Sequence, residues 1–394
     1  MDCMGDDLSP SLSSSSQHAW PKARTFQLLK RPACSGSKLT FGSVCSGYES
    51  VALALQGMGI EFDFIFAADS DRDCQAALAH NYDISFIGGD IWQHSLSHFP
   101  KTDLFAAGFP CQPISRAGLG RGIEVPQGQV IFRIMELIQL RRFPCVLLEN
   151  VEGLYDALHK DLLTYILSKL QLLGYETSHK LINAETCGLP QHRKRVFIVA
   201  IQKTRLGTRK MTWPKPLPKK ANIASFLDPK TEKEKRMNLD KNLPPRSQGT
   251  ARHNMLTLHK QLRAVNLRPS QTMIIADIDG SKLQMMYNRC PCITKTRATS
   301  GFWVCPRGRR MSTQEMKRLM GIGIRVPRGG KRIKIIKPPN IDVKKWRGMI
   351  GNSMPINVLQ RILARMLPVA KLSNRTVADL DFWDRAQCAR SARI

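Results

Sequence analysis

The residues able to do chemistry in this chain stand at the ends of apolar runs. Cys111 follows the run Asp103-Leu-Phe-Ala-Ala-Gly108 by way of Phe109 and Pro110. Gln112 and a glycine-rich stretch, Ala117-Gly-Leu-Gly-Arg-Gly122, come next and read as a mobile loop. Further along, a second apolar run, Cys145-Val-Leu-Leu148, ends in Glu149-Asn150-Val151. A thiol and a carboxyl delivered by two strand ends suit covalent chemistry on a ring. The sulfur adds to an electron-poor carbon while the acid stabilises charge on a ring nitrogen.

A second group of residues suits a nucleoside. The first apolar run ends in Val44-Cys-Ser-Gly-Tyr-Glu-Ser50, a small-residue turn before a helix, where a ligand approaches backbone and helix N-terminus. Asp69 ends the second run, where an acid binds a ribose hydroxyl pair, and Asp90 in Gly88-Gly-Asp-Ile91 follows the third. Each feature alone reads equally as a tight turn or a helix cap. Three of them on successive strand ends favour a nucleoside cofactor. A Walker lysine motif and the full dinucleotide fingerprint are both missing. S-adenosylmethionine fits, because it carries ribose and adenine but no pyrophosphate needing a cradle.

The elements that must position these groups alternate. Leu39–Cys45, Phe62–Ala68, Leu104–Gly108, Val146–Leu148 and Val196–Ala200 read as strands; Val51–Met58, Arg72–His80, Gln129–Leu140 and Leu158–Leu173 read as helices. That order predicts an α/β fold, a doubly wound and mainly parallel sheet with helices on both faces. Ligands on such sheets lie beyond the carboxyl ends of the strands, where the candidate residues fall. Residues 1–37, serine-rich and without apolar period, read as a disordered arm. The catalytic and cofactor-binding domain is expected over 38–202 and a smaller, irregular, loop-rich domain over 203–345. An amphipathic C-terminal helix falls within 346–370, and 371–394 reads as a polar tail.

The composition narrows the partner. The net charge is +29 over 394 residues, which predicts a polyanion, most commonly nucleic acid. A membrane surface would need an apolar anchor, and none is evident. Eleven cysteines, an odd number without framework spacing, argue for reduced thiols inside a cell. Cys290, Cys292 and Cys305, with His253 and His259 upstream, match no common zinc spacing, so no metal is expected.

Five blocks in order carry a family resemblance. Gly108-Phe-Pro-Cys-Gln112 resembles the nucleophile motif of the cytosine carbon-5 DNA methyltransferases, and Glu149-Asn150-Val151 their Glu-Asn-Val motif. Asn183-Ala-Glu-Thr-Cys-Gly-Leu-Pro-Gln-His-Arg-Lys-Arg195 is similar to their Gln-x-Arg-x-Arg block with its lead-in. Arg310-Met-Ser-Thr-Gln-Glu315, with Leu319 and Gly321, resembles the block closing the recognition domain; Gly351-Asn-Ser353 resembles the last. The resemblance implies that Cys111 adds to carbon 6 of cytosine and that Glu149 contacts ring nitrogen 3 and the exocyclic amine. Carbon 5 then takes the methyl group, loses its proton, and the thiolate is eliminated. It implies that Arg193 and Arg195 hold base or backbone near the site. It implies that Ser46, Gly47, Tyr48, Asp69, Asp90, Ile91, Pro110 and Asn352 contact S-adenosylmethionine. A free thiol ionises near pH ~8.5, so nearby arginines help Cys111; a desolvated carboxyl favours its protonated, donating form.

The first motif departs from the family. Cys45 stands where an aromatic usually stacks on adenine, Glu49 replaces a glycine, and Asp69 is one methylene shorter than the usual glutamate. Its Cys-Ser-Gly version resembles phage and prophage members. The implied partner is double-stranded DNA, bound by a monomer inside the cell; a cognate restriction endonuclease is left open. Phosphate contacts are expected from the basic stretches 203–220 and 325–347, sequence readout from 201–305, and closure over a flipped base from the loop 113–127. Two alternatives are a transfer RNA methyltransferase and an inactive DNA-binding regulator on the same scaffold.

Overall fold

The computed structural model describes residues 38–110, 126–236, 238, 242–324 and 330–384. The expected arm, Cys111 with most of the loop 113–127, and the first residues of the basic run 325–347 lie outside them.

A seven-stranded sheet organises the chain. Its strands are β1 (Leu39–Val44), β2 (Phe62–Ala68), β3 (Ile84–Gly88), β4 (Leu104–Gly108), β5 (Cys145–Val151), β6 (Tyr175–Asn183) and β7 (Lys194–Gln202). They lie in the order β3-β2-β1-β4-β5-β7-β6. The first five are parallel; β7 runs antiparallel to both β5 and β6. Order reverses between β1 and β4, the switch point at which such sheets open a ligand crevice. Leu104–Ala107 and Cys145–Leu148 are buried throughout, which is why they read as unbroken apolar runs. The sequence reading has no counterpart to β6, an edge strand whose Glu176, His179 and Lys180 are exposed. Strand pairing, not hydrophobic pattern, defines it.

Helices cover both faces. On one lie α1 (Ser50–Gly57) and α2 (Arg72–Asn81), with the helix Ile356–Val369 packed against α1. On the other lie α3 (Pro126–Arg141) and α4 (Lys160–Leu172), burying Ile134, Ile138, Ile166 and Leu170 on Phe66, Phe105 and Phe143. The helix Ile356–Val369 is buried on all sides from Ile356 to Leu367. Its Arg361 and Arg365 reach Asp381 at 3.2 and 2.6 Å and Asp384 at 2.6 and 3.0 Å. Residues 371–384 are therefore no loose tail. Buried guanidiniums need carboxylate partners, and the polar segment supplies them.

A smaller antiparallel sheet, order β11-β10-β8-β9, comprises β8 (Ile274–Asp277), β9 (Gln284–Tyr287), β10 (Trp303–Val304) and β11 (Arg309–Arg310). The helix Gly249–Ala264 covers it through Ala251, Met255, Leu258 and Leu262. That stripe has helical spacing, yet its basic and polar surroundings hide it from a reading that expects only loops here.

Candidate active site

The turn after β1 is built from alternating left-handed residues. Cys45, Gly47 and Glu49 have φ of 52°, 57° and 65°. Non-glycine residues at such angles carry local strain of order ~1–2 kcal/mol. Glu49 offsets this by capping α1, accepting from the Val51 amide at 2.8 Å. Ser46 clamps the turn to β2: its Oγ accepts from the Ala68 amide at 3.2 Å, and its amide donates to the Ala68 carbonyl at 3.2 Å.

Asp69 closes the same corner. Its carboxylate accepts from the Gly47 amide at 2.8 Å and from the Asp71 amide at 3.0 Å. Burial pushes its carboxyl above the ordinary range, against those two amides. Asp90 caps the turn Ile91–Gln93 through the Trp92 amide at 3.0 Å, and Ile91 is buried beneath it. Burial, followed by the charges of Asp69 and Asp90, raises the Cys45 thiol. This donor set, carboxylates for hydroxyls and a strand-end turn for close approach, fits the nucleoside half of S-adenosylmethionine. Asn352 lies exposed at the end of the helix Val343–Asn352. The Tyr48 side chain turns inward: it is 1% exposed, packs on Trp346, and its hydroxyl donates to Ser353 Oγ at 2.6 Å, which leaves its main chain for a ligand. Its side chain ties the returning C-terminal segment to the turn.

The second half of the site lies where β4 and β5 end side by side, with Gly108 in register with Glu149. A side chain at Gly108 would press on Met354 at 3.1 Å and sit 3.5 Å from Glu149 Oε2. Glycine keeps that space beside the carboxyl open. Asn150 donates to the Phe109 carbonyl at 3.3 Å, while its Oδ1 accepts from the Val151 amide at 2.8 Å. This holds Phe109-Pro110, the approach to Cys111, against the end of β5. The motif contains Asn150 but the sequence does not reveal this task.

Residues 191, 193 and 195 alternate along one side of the chain entering β7. Arg195 Nε lies 3.1 Å from Glu149 Oε1, both side chains nearly buried. Burial raises the Glu149 carboxyl above the ordinary range, while Arg195 and then Arg193 oppose it. Arg193 is 2% exposed and spends its guanidinium on main chain: Ile293 O at 2.7 Å, Gly351 O at 3.2 Å and Ser353 O at 2.6 Å. The expectation that it holds substrate gives way to a fastening role, because those carbonyls engage both of its terminal nitrogens, Nη1 and Nη2. Gln191, missed by the sequence reading, donates to Leu319 O at 2.9 Å and accepts from the Ile293 amide at 3.0 Å. The block therefore ties β7 to the 290–293 segment, the helix Thr313–Leu319 and the turn 351–353.

Other expectations meet the structure as follows. Among the described residues no group of three or more His, Cys, Asp or Glu side chains is placed to hold a metal ion. None of their helices is long and apolar enough to cross a membrane. The basic run 325–347 is only partly a surface supply of charge. Lys331, Arg332 and Lys334 are exposed, but Ile333 and Ile335 between them are buried. Lys337 donates to Pro338 O and Ile341 O, Arg347 to Met311 O, and Lys345 pairs Asp73 at 2.8 Å.

Comparisons with known proteins agree with this architecture. A family model described as C-5 cytosine-specific DNA methylase matches residues 39–367. The Type II methyltransferase M.DsaV of Dactylococcopsis salina is 28% identical over 81% of this chain and 85% of its own. M.HaeII of Haemophilus aegyptius is 26% identical over 84% and 94%. The solved structure of the Entamoeba histolytica methyltransferase EhMeth shares the fold at a TM-score of 0.59 and 14% identity, covering 84% of this chain and 99% of that one. On that family match over residues 39–367, the chain belongs to the C-5 cytosine-specific DNA methylase family, which transfers a methyl group from S-adenosylmethionine to carbon 5 of cytosine in DNA.

Proposed function

We propose that the β4–β5 end is the reaction centre. The observation that carries this is the Glu149–Arg195 contact of 3.1 Å, nearly buried and in register with the strand that leads to Cys111. Cys111 adds through its thiolate to carbon 6 of cytosine. Glu149, whose protonated form desolvation favours, donates to ring nitrogen 3 as electron density moves onto the ring. Carbon 5 becomes nucleophilic, and after methylation it loses its proton while the thiolate is expelled. Arg195 orients Glu149. Arg193 positions the turn 351–353 rather than touching substrate. When bound, S-adenosylmethionine supplies an electrophilic methyl group. Asp69, Asp90, the Ser46-Gly47 turn, the Tyr48 backbone, Ile91, Pro110 and Asn352 would hold it.

The substrate on this reading is duplex DNA inside the cell, acted on by a monomer. A paired cytosine hides its ring faces, so it must leave the stack at a cost of roughly a few kcal/mol, as in other base-modifying methyltransferases. Phosphate contacts repay that cost, and the surplus charge of +29 provides for them. Readout within 201–305 centres on the edge strand β9, which exposes Met285 and Tyr287. Duplexes containing 5-fluorocytosine test the centre: with methyl donor present, the wild-type chain should become covalently trapped and Cys111→Ala should bind without trapping. Wild-type protein that methylates DNA yet never forms the adduct would overturn the reading. Methylation of transfer RNA in preference to duplex DNA would overturn the substrate.

A further inference from the structure

Cys292 lies beside the reaction centre, although nothing in the mechanism so far employs it. The pairing of Gln191 with Cys290 delivers it there. The amide of His192 donates to Cys290 O at 2.8 Å, and the Cys290 amide to Pro190 O at 2.8 Å. Those bonds set the 290–293 segment along the start of β7. Cys292 Sγ then lies 3.5 Å from Arg193 Nη1 and 3.9 Å from Arg195 Nη2. Arg195 presents its other side, Nε, to Glu149. Sulfur and carboxyl therefore share one guanidinium.

Among the described residues the charges around this pair are few. β7 contributes Arg193 and Arg195. The segment carrying Cys292 adds the buried thiol of Cys290. β4 and the turn after Ser353 present Gly108 and Met354, which are uncharged. Two guanidiniums this close repel one another, and an anion between them relieves that repulsion. A thiol ionises far more readily than a hydroxyl, so cysteine supplies the anion where serine could not. The two arginines hold the Cys292 thiol below its ordinary range despite its partial burial.

We propose that Cys292, as a thiolate, is a positioning residue that divides Arg195 between itself and Glu149. With its charge drawn partly to sulfur, Arg195 orients the Glu149 carboxyl without forcing it to ionise. The inference rests on the role of Glu149 proposed above.

Cys292→Ser tests it, since the hydroxyl keeps the shape and stays neutral. Arg195 would then act undivided on Glu149, and the protonated form would be lost at a lower pH. The alkaline limb of kcat/KM should move down by about one pH unit, with activity above the limb falling about tenfold and the plateau below it nearly unchanged. A limb that stays in place refutes the proposal, and so does a uniform loss at all pH, which marks a packing role only. A second measurement does not depend on activity. In Cys111→Ser protein, the rate of iodoacetamide alkylation of Cys292, mapped by mass spectrometry, should reach half-maximum below the ~8.5 of an ordinary thiol. A half-point at or above that value also refutes the proposal. Glu149→Gln separates the two failures: an active Glu149→Gln enzyme sinks the acid role of Glu149, while the alkylation result still reports on Cys292.

Discussion

Arg193→Ala should behave as a loss of structure and Arg195→Ala as a loss of chemistry. Arg193 satisfies three main-chain carbonyls, at Ile293, Gly351 and Ser353, from a position 2% exposed. Truncation leaves them without that donor. Each buried group so stranded costs about 1–3 kcal/mol. Removing a buried cation returns part of this, because its own desolvation penalty disappears. A net loss of about 4 kcal/mol is a fair working figure, a large share of the ~5–15 kcal/mol that folded proteins possess. With about 2.1 cal/mol/K per residue over roughly 350 residues, the unfolding entropy is near 0.7 kcal/mol/K, and Tm should fall by about 6 °C. Arg195 bonds the Lys194 carbonyl at 2.7 Å and faces Glu149, so its loss should lower Tm by no more than about 2 °C while kcat falls about a hundredfold or more. Thermal unfolding and labelled methyl transfer to duplex DNA, run on the same preparations, measure both quantities. Should Arg193→Ala keep its Tm and lose its turnover, the fastening role is wrong and the guanidinium meets the substrate.

Three further outcomes follow from the same geometry. Asp69→Asn replaces one acceptor of the Gly47 and Asp71 amides with a second donor; binding of S-adenosylmethionine, followed by calorimetry, should weaken about tenfold or more, and unchanged affinity would remove Asp69 from the cofactor site. Gly351→Ala would place a Cβ 2.3 Å from the Thr294 carbonyl oxygen and 2.6 Å from its carbon. Both are main chain and yield little, so the variant should lose about 1–3 kcal/mol in denaturant unfolding, along with cofactor affinity. Glu49 gives a pH signature. Burial raises its carboxyl from 4.5 to about 7. The folded chain therefore holds a proton in that window that the unfolded chain releases, and this stabilisation is lost as pH rises through it. Glu49→Gln should flatten the decline in Tm between about pH 5 and about pH 8; an identical decline in both proteins would contradict the assignment.

Much of the architecture is legible in the chain itself. Strands covered on both faces must be apolar at every position, so Leu104–Ala107 and Cys145–Leu148 declare themselves without a structure. Cys111, Glu149, Asp69 and Asp90 are legible as candidates as well, since each stands at or within three residues of the end of an apolar run. The edge strand β6 and the helix Gly249–Ala264 do not, because half-solvated elements among polar neighbours have weak patterns.

What the sequence by itself determined was the type of fold and the chemistry at the ends of its strands. Local periodicity and motif order depend only on neighbours along the chain. Tertiary structure alone decided how the arginines divide their work. Arg193 and Arg195 look equivalent in sequence, two residues apart on one side of a strand. Both reach the sulfur of Cys292, but Arg193 also meets three carbonyls from distant segments, whereas Arg195 also meets the Glu149 carboxyl. The partners of a guanidinium come from whatever the fold brings within about 3 Å, and spacing along the chain does not encode that distance.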